Sequence, residues 1–236
     1  MKIALLGYGR MGKAIEKFAL ERGHEIVYTL DKDEVQGVLS SADIAINFSI
    51  PQAAVANIKL ALEQQIPVVC GTTGWLDQYD EVVAYCASQQ SGFLYASNFS
   101  IGVNLFFKVN ALVAKLMQSH QKEYQPSLEE IHHIHKLDAP SGTALTLAEG
   151  VLGASNLKEW KLDGTSKEKL NITALRKGEV PGTHTVKYTS SFDELSIKHE
   201  AFGREGFALG AVVAAEWLVG KQGIYTMDDV LNISIF

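Results

Sequence analysis

The chain has 236 residues, 47% of them hydrophobic and 20% charged, with a net charge of −6. That length fits one large domain or two modest ones, and the composition is that of a globular protein with a substantial core. No basic patch stands out to carry nucleic acid, no run reaches the ~18 apolar residues of a membrane span, and two isolated cysteines, Cys70 and Cys86, argue against a disulfide scaffold.

Lys2 to Leu6 is a short apolar run, too brief for a signal peptide, so a cytoplasmic protein is expected. Gly7-Tyr8-Gly9-Arg10-Met11-Gly12 follows, then Ala14, Ile15, Phe18 and Ala19 at helical spacing, which predicts strand, tight turn and helix. A bare GxGxxG says little. Here a strand precedes it, a helix follows it, and Asp31 lies nineteen residues beyond Gly12, close to the ~20 of the dinucleotide fingerprint. Asp31 ends the second predicted strand, from His24, and its carboxylate would hold the adenosine ribose hydroxyls of NAD. Lys32 beside it would tolerate a ribose phosphate, so NADH and NADPH both stay open.

Ala42 to Phe48 is a third strand, and Pro51 suits the first turn of a helix reaching to about Gln64. Pro67 to Cys70 is a fourth strand, meeting Gly71-Thr72-Thr73-Gly74, a polar turn at a strand's carboxyl end, where open parallel sheets bind ligands. A helix from Leu76 to Ser88 leads to a fifth strand, Gly92 to Ala96, which ends in Ser97-Asn98-Phe99-Ser100. Strands alternating with helices predict an α/β doubly wound parallel sheet of Rossmann type.

From Gly102 the pattern changes to a helix of about two dozen residues, then to the densest chemistry in the chain. Glu130-Ile131-His132-His133-Ile134-His135-Lys136-Leu137-Asp138-Ala139-Pro140-Ser141-Gly142-Thr143 places three of seven histidines within four positions and a lysine directly after them. Such a cluster is often only a solvated surface. Against that, Pro140 ends the preceding element, Ser141 is a candidate N-cap, and Gly142 lets the backbone approach a ligand. A helix N-terminus attracts a carboxylate or phosphate, so a small anionic substrate is implied. A metal is the competing reading, but adjacent His132 and His133 would point to opposite faces of a strand and not converge on one ion. In a regular strand His132 and Lys136 would lie ~13 Å apart. Lys136 must therefore sit past the strand's end, or the two touch different parts of the substrate.

Ile172 to Arg176, His184 to Thr189 and Glu194 to His199 read as antiparallel strands of a second, mixed α+β lobe. Arg176, Gly178, Gly182 and His184 cluster at a connection, as an ordinary turn or a cationic rim. An apolar helix, Phe207 to Val219, and the closing stretch Gly223 to Leu231 follow, and the final helix is expected to return to the first lobe.

These motifs, with Asn47-Phe48-Ser49-Ile50-Pro51 and Ser97-Asn98-Phe99-Ser100-Ile101-Gly102-Val103-Asn104, closely resemble the 4-hydroxy-tetrahydrodipicolinate reductase (dihydrodipicolinate reductase) family along essentially the whole chain. The stretch His132 to Ala144 is its most diagnostic part. The resemblance implies a homotetramer with a dinucleotide-binding domain of residues 1–99, completed by 205–236, and a substrate-binding and oligomerisation domain of residues 100–204. It implies hydride transfer from NADH or NADPH to a cyclic dicarboxylate with loss of water. Lys136 then matches the proton donor and His132 an acid/base residue. His133, Gly142 and Thr143, with the Ser141 helix end, match the substrate site; Gly71 to Thr73 and Ala96 to Phe99 match cofactor contacts. Asn47 departs from the acidic residue common before Phe-Ser/Thr, and the chain is short between strands two and three. Another Rossmann oxidoreductase of amino or imino acids fits the His-His-x-His-Lys run less well, and a dinucleotide-sensing regulator would need an effector or DNA-binding segment that the sequence lacks.

Overall fold

The computed structural model describes residues 1–32 and 34–232. The chain divides into two compact units, one of Met1–Ile101 with the segment from Glu205 on, the other from Gly102 to Arg204. Residues 233–236, the end of the stretch expected to complete the first lobe, lie outside the described residues.

The first unit opens with β1 (Lys2–Leu6), α1 (Arg10–Glu21), β2 (Glu25–Asp31), β3 (Glu34–Gly37), β4 (Ile44–Asn47), α2 (Pro51–Leu62), β5 (Val68–Cys70), α3 (Tyr79–Ser88) and β6 (Gly92–Tyr95). The chain continues through α4 (Ile101–Met117), β7 (Gln125–His132), α5 (Gly142–Gly153), β8 (Trp160–Leu162), β9 (Leu170–Arg176), β10 (Gly182–Thr189) and β11 (Glu194–Ala201). It then returns to the first unit as α6 (Glu205–Leu218), β12 (Gly223–Tyr225) and α7 (Met227–Val230).

The sheet of the first unit has the order β12-β6-β5-β4-β1-β2-β3. All its pairs are parallel except β2 with β3. Successive side chains of a strand face opposite ways. Ile3, Leu5, Ile46, Val69 and Leu94 accordingly pack with α1 and α6, while Ala4, Leu6, Ala45, Val68 and Phe93 pack with α2 and α3. Burial on both faces is why these strands read as unbroken apolar runs.

β3 is absent from the sequence reading. It folds back on β2 through Lys32, at φ 53, and all four of its residues are exposed. An edge strand with no buried face has no alternation to betray it.

The second sheet has the order β11-β10-β7-β9-β8. β10 is antiparallel to β11 and to β7, as expected for that hairpin, but β9 is parallel to β7 and β8 and does not touch β10. The Gly178 to Pro181 connection is therefore a step across β7 and not the hairpin its turn residues suggest. β8, three residues long with Trp160 half-exposed, was not predicted. α4 is 17 residues, shorter than expected, because a 3-10 turn at Gln118–His120 ends it. One face of this sheet, with Leu128, Ile172, Val186 and Tyr188, packs against Phe106 of α4 and against Ala144, Leu147, Ala148 and Val151 of α5.

α6 reaches the first sheet because Gly210 has no side chain; a Cβ there would stand 1.7 Å from the Phe99 carbonyl oxygen. Gly210→Ala is expected to lower stability by about 3 kcal/mol through overpacking, seen as a lower urea midpoint with an unchanged m-value.

Candidate functional site

In the first unit the glycines divide their labour. Gly7 has φ +104, and a Cβ on it would meet the Phe48 carbonyl oxygen at 2.1 Å; one on Gly12 would meet the Gly7 oxygen at 2.3 Å; one on Gly9 would meet nothing within 4 Å. The first and third positions are thus closed by backbone and the middle one stays open. That is the division a pyrophosphate needs in order to approach the turn. Gly9 caps α1 without a side-chain acceptor, and the first turn carries no acidic residue of its own to oppose the helix dipole.

Met11, Phe48, Ser49, Pro51, Gly71, Thr72 and Thr73 line one depression beside this turn. Gly71 is needed there, since a Cβ would overlap the Phe48 ring at 2.2 Å. Thr72 holds the rim by accepting from the Ser49 N–H at 2.8 Å, while its carbonyl accepts from the Trp75 indole at 2.7 Å. Tyr8 donates its hydroxyl to Glu16, and Arg10 is exposed. Asp31 and Lys32 are exposed at the carboxyl end of β2, and Ala96, Ser97 and Asn98 follow β6; none of these lines the depression. Phe99 is a core residue, 1% exposed, with its ring 5.6 Å from that of Phe48. Asn47 is fully buried, donating weakly to the Ala54 carbonyl at 3.4 Å and to Cys70 Sγ at 3.6 Å.

In the second unit β7 alternates, burying Pro126, Leu128, Glu130 and His132 on one face. The strand stops at His132, so Lys136 does sit beyond its end, in a turn where its N–H donates to the His133 carbonyl at 3.2 Å. Arg176 fixes that turn. Its guanidinium donates to the carbonyls of Lys136 (3.3 Å) and Asp138 (2.6 Å) and lies 3.4 Å from Glu130 Oε1. Lys136 Nζ donates to Asp138 at 2.8 Å, and this contact, more than burial opposes it, holds the Asp138 carboxyl below the usual range. His135 is exposed beside Glu179, at 3.4 Å, and His133 is partly buried with its ring 6.1 Å from that of His135.

The Ala139-Pro140 bond is cis, and Ser141 caps α5 as expected, accepting from the Ala144 N–H at 3.2 Å. The Ser141 N–H is taken by Glu130, and that of Leu145 by the Ser141 carbonyl. Gly142 and Thr143 remain as the N–H groups of the first turn without an acceptor among the described residues. A Cβ on Gly142 would meet nothing within 4 Å, so a carboxylate has room to reach them.

Two residues of this site have no individual role in the sequence reading: Glu130 only opens the central run, and His184 stands in a cluster read as an ordinary turn or a cationic rim. Glu130 is 0% exposed and His184 4%. Glu130 takes the Ser141 N–H at 3.1 Å, and its Oε2 lies 3.6 Å from both His132 Nδ1 and His184 Nε2. His184 Nε2 also contacts Ser141 Oγ at 3.1 Å, and its ring meets that of His132 edge-on, centroids 5.0 Å apart. The signal was the strand period: two residues before a buried histidine, Glu130 had to share its face. His184 came from β10, outside the local run, and it supplies the convergence that His132 and His133 lack. Glu130, His132 and His184 accordingly form a group able to offer three metal ligands, within 4.8 Å of one another. The guanidinium of Arg176 already places a cation on Glu130.

Burial works to raise the Glu130 carboxyl, but the adjacent His184 imidazole, the Ser141 N–H it accepts and the charge of His132 outweigh it and bring it to about 2. His132 is pushed down to about 4, chiefly by burial, with Glu130 opposing and His184, Lys136 and Arg176 adding to the fall. The imidazole is thus neutral and the carboxylate ionised near neutral pH. An unfolded histidine titrates near ~6.5, so the unfolded chain binds the extra proton between that value and about 4. Stability then rises with pH across this window and is lost on acidification through it. Glu130 adds a loss in the same direction lower down, from an ordinary 4.5 toward about 2. The urea midpoint should fall as pH drops from 6.5 to 4, and His132→Gln should flatten that slope.

Residues 1–99 match the family model described as dihydrodipicolinate reductase, N-terminus, and residues 102–231 the one described as its C-terminus. A 4-hydroxy-tetrahydrodipicolinate reductase of Christiangramia forsetii is 52% identical over 235 residues, covering 98% of each chain. One of Archaeoglobus fulgidus is 36% identical over 262 residues, covering 98% of this chain and 100% of its own. A dipicolinate-bound dihydrodipicolinate reductase from a Paenisporosarcina species shares the fold, with a TM-score of 0.79 at 20% identity over 96% of this chain and 97% of that one. With both halves matched and close relatives spanning its length, the chain belongs to the dihydrodipicolinate reductase family.

Proposed function

We infer that the chain is a reductase of lysine and diaminopimelate biosynthesis, converting 4-hydroxy-tetrahydrodipicolinate to tetrahydrodipicolinate with loss of water. The observation that carries this is the 52% identity to a relative of that name over nearly the whole chain. The reduced nicotinamide dinucleotide supplies the hydride when bound, and the open Gly9 turn and the unopposed start of α1 fit its pyrophosphate. Gly71, Thr72 and Thr73 wall the adjoining depression, and Ala96 to Phe99 follow the neighbouring strand end. Asp31 takes the adenosine ribose hydroxyls, and Lys32 beside it accommodates a ribose phosphate, which supports use of both NADH and NADPH.

In the second unit, the Gly142 and Thr143 N–H groups, with Ser141 and His133, bind a substrate carboxylate. Lys136 is the proton donor: the carbon next to the reduced one must be protonated, and an ammonium held at Asp138 sits on a turn that Arg176 keeps in place. His132, neutral when the substrate arrives, is the acid/base residue. The net change consumes one hydride and one proton and releases one water.

The second unit also supports assembly into a homotetramer. Leu105, Val109, Leu112 and Leu116 form an exposed apolar stripe along α4, and β11 leaves an open sheet edge flanked by Phe192, 90% exposed, and Phe202, 93% exposed. No described helix is long and apolar enough to cross a membrane. Use of a soluble dinucleotide supports a cytoplasmic setting.

Lys136→Ala should lower turnover about 10²–10⁴-fold, the scale of a lost general acid, in an assay of dinucleotide oxidation on freshly generated substrate, with dinucleotide affinity retained. The same assay should give kcat/KM values for NADH and NADPH within about tenfold of each other, a difference of about 1.4 kcal/mol; Asp31→Ala should then penalise NADH more. Sedimentation equilibrium should return four times the 25.8 kDa chain mass.

A further inference from the structure

Glu130 is the only acidic residue among the buried residues described, and nothing in the proposed chemistry needs a second carboxylate there. Its oxygens are unequally committed. Oε1 takes the Ser141 N–H at 3.2 Å and both terminal nitrogens of Arg176 at 3.4 Å. Oε2 takes only the Ser141 N–H, at 3.1 Å, and faces two imidazoles, each 3.6 Å away. His184 Nε2 has another partner, Ser141 Oγ at 3.1 Å. His132 Nδ1 has none: it is buried without a hydrogen bond, and the Glu130 carboxylate oxygen Oε2 lies 3.6 Å from it.

A neutral imidazole carries one proton, and the hydrogen bond at one nitrogen decides the role of the other. We propose that Glu130 is a positioning residue that fixes His132 as its Nδ1–H tautomer, leaving Nε2 as the proton-accepting nitrogen. The role of His132 rests on the reductase reading; the tautomer does not. Nε2 lies beside Gly182, where a Cβ would come within 3.2 Å of it, so the glycine keeps that nitrogen uncrowded. The neighbouring charges agree. Arg176 stands on Glu130 Oε1, 3.4 Å away, and leaves Oε2 to the imidazoles; a metal ion held by Glu130 and the two histidines would stand beside that guanidinium charge.

Long-range proton–nitrogen correlation spectra of nitrogen-15-labelled protein near neutral pH read the tautomer directly, with His132→Gln identifying the signal. The wild-type spectrum should show a protonated Nδ1 and an unprotonated Nε2, unchanged by a chelator. In Glu130→Gln the carboxamide offers a donor to Nδ1, so the tautomer should invert. Turnover should then fall about a hundredfold, the scale of lost base function, with dinucleotide affinity unchanged. A wild-type Nε2–H, a chelator-sensitive spectrum, or an unchanged tautomer in Glu130→Gln would overturn the proposal. The wild-type spectrum decides even if the variant does not fold. A chain showing the Nδ1–H form and its inversion, but no reduction of the dicarboxylate, would refute the reductase reading and uphold the role of Glu130.

Discussion

A carboxylate removed from water is costly unless donors surround it, and the second unit is arranged around meeting that demand at Glu130. The donors come from the start of α5 and the end of β9, with histidines from β7 and β10 beside them. Each element brings something the site uses. The Ser141 N–H that answers Glu130 orients the first turn of α5, and the Arg176 guanidinium that answers it also carries the backbone carbonyls on either side of the Lys136 turn. Removing the charge would therefore loosen a cap, a turn and an imidazole together, and a buried network of this kind is stronger than its separate contacts.

The first unit rests on a different constraint, the closeness of backbone to backbone. Gly7 against Phe48, Gly12 against Gly7, and Gly210 against Phe99 are approaches that no side chain permits. Two of them shape the turn where a pyrophosphate would lie, and the third brings α6 onto the segment after β6. The open Gly9 between two closed neighbours is what separates this turn from a merely tight one.

Much of this was legible from residue order. The central parallel strands β1, β4, β5 and β6 are buried on both faces and short, so their apolar runs were plain, as were Pro51 at the start of α2 and Ser141 as a cap. Strand rise made Lys136 past the strand's end one of two alternatives, and the strand does end at His132. What escaped either carries no local pattern or depends on partners distant in sequence. β3 buries nothing, β8 is three residues long, and β9 takes β7 as a parallel neighbour, which no local turn signal can reveal. His184 joins His132 only because β10 lies beside β7. Glu130 was within reach of the period-two argument, and was passed over because a carboxylate among buried positions reads as polar surface until its donors are seen.

The ladder of β12 with β6 and the packing of α6 have a consequence for synthesis. The face of the first sheet formed by Ile3, Leu5, Ile46, Val69 and Leu94 is covered in part by a helix that begins at Glu205, more than a hundred residues after β6 ends. While the chain emerges from the ribosome, everything from Gly102 to Arg204 is made before that covering arrives, so the unit begun first is finished last. A nascent chain stopped anywhere before α6 carries a greasy, half-dressed sheet, and exposed apolar surface of that kind favours association until the last elements arrive.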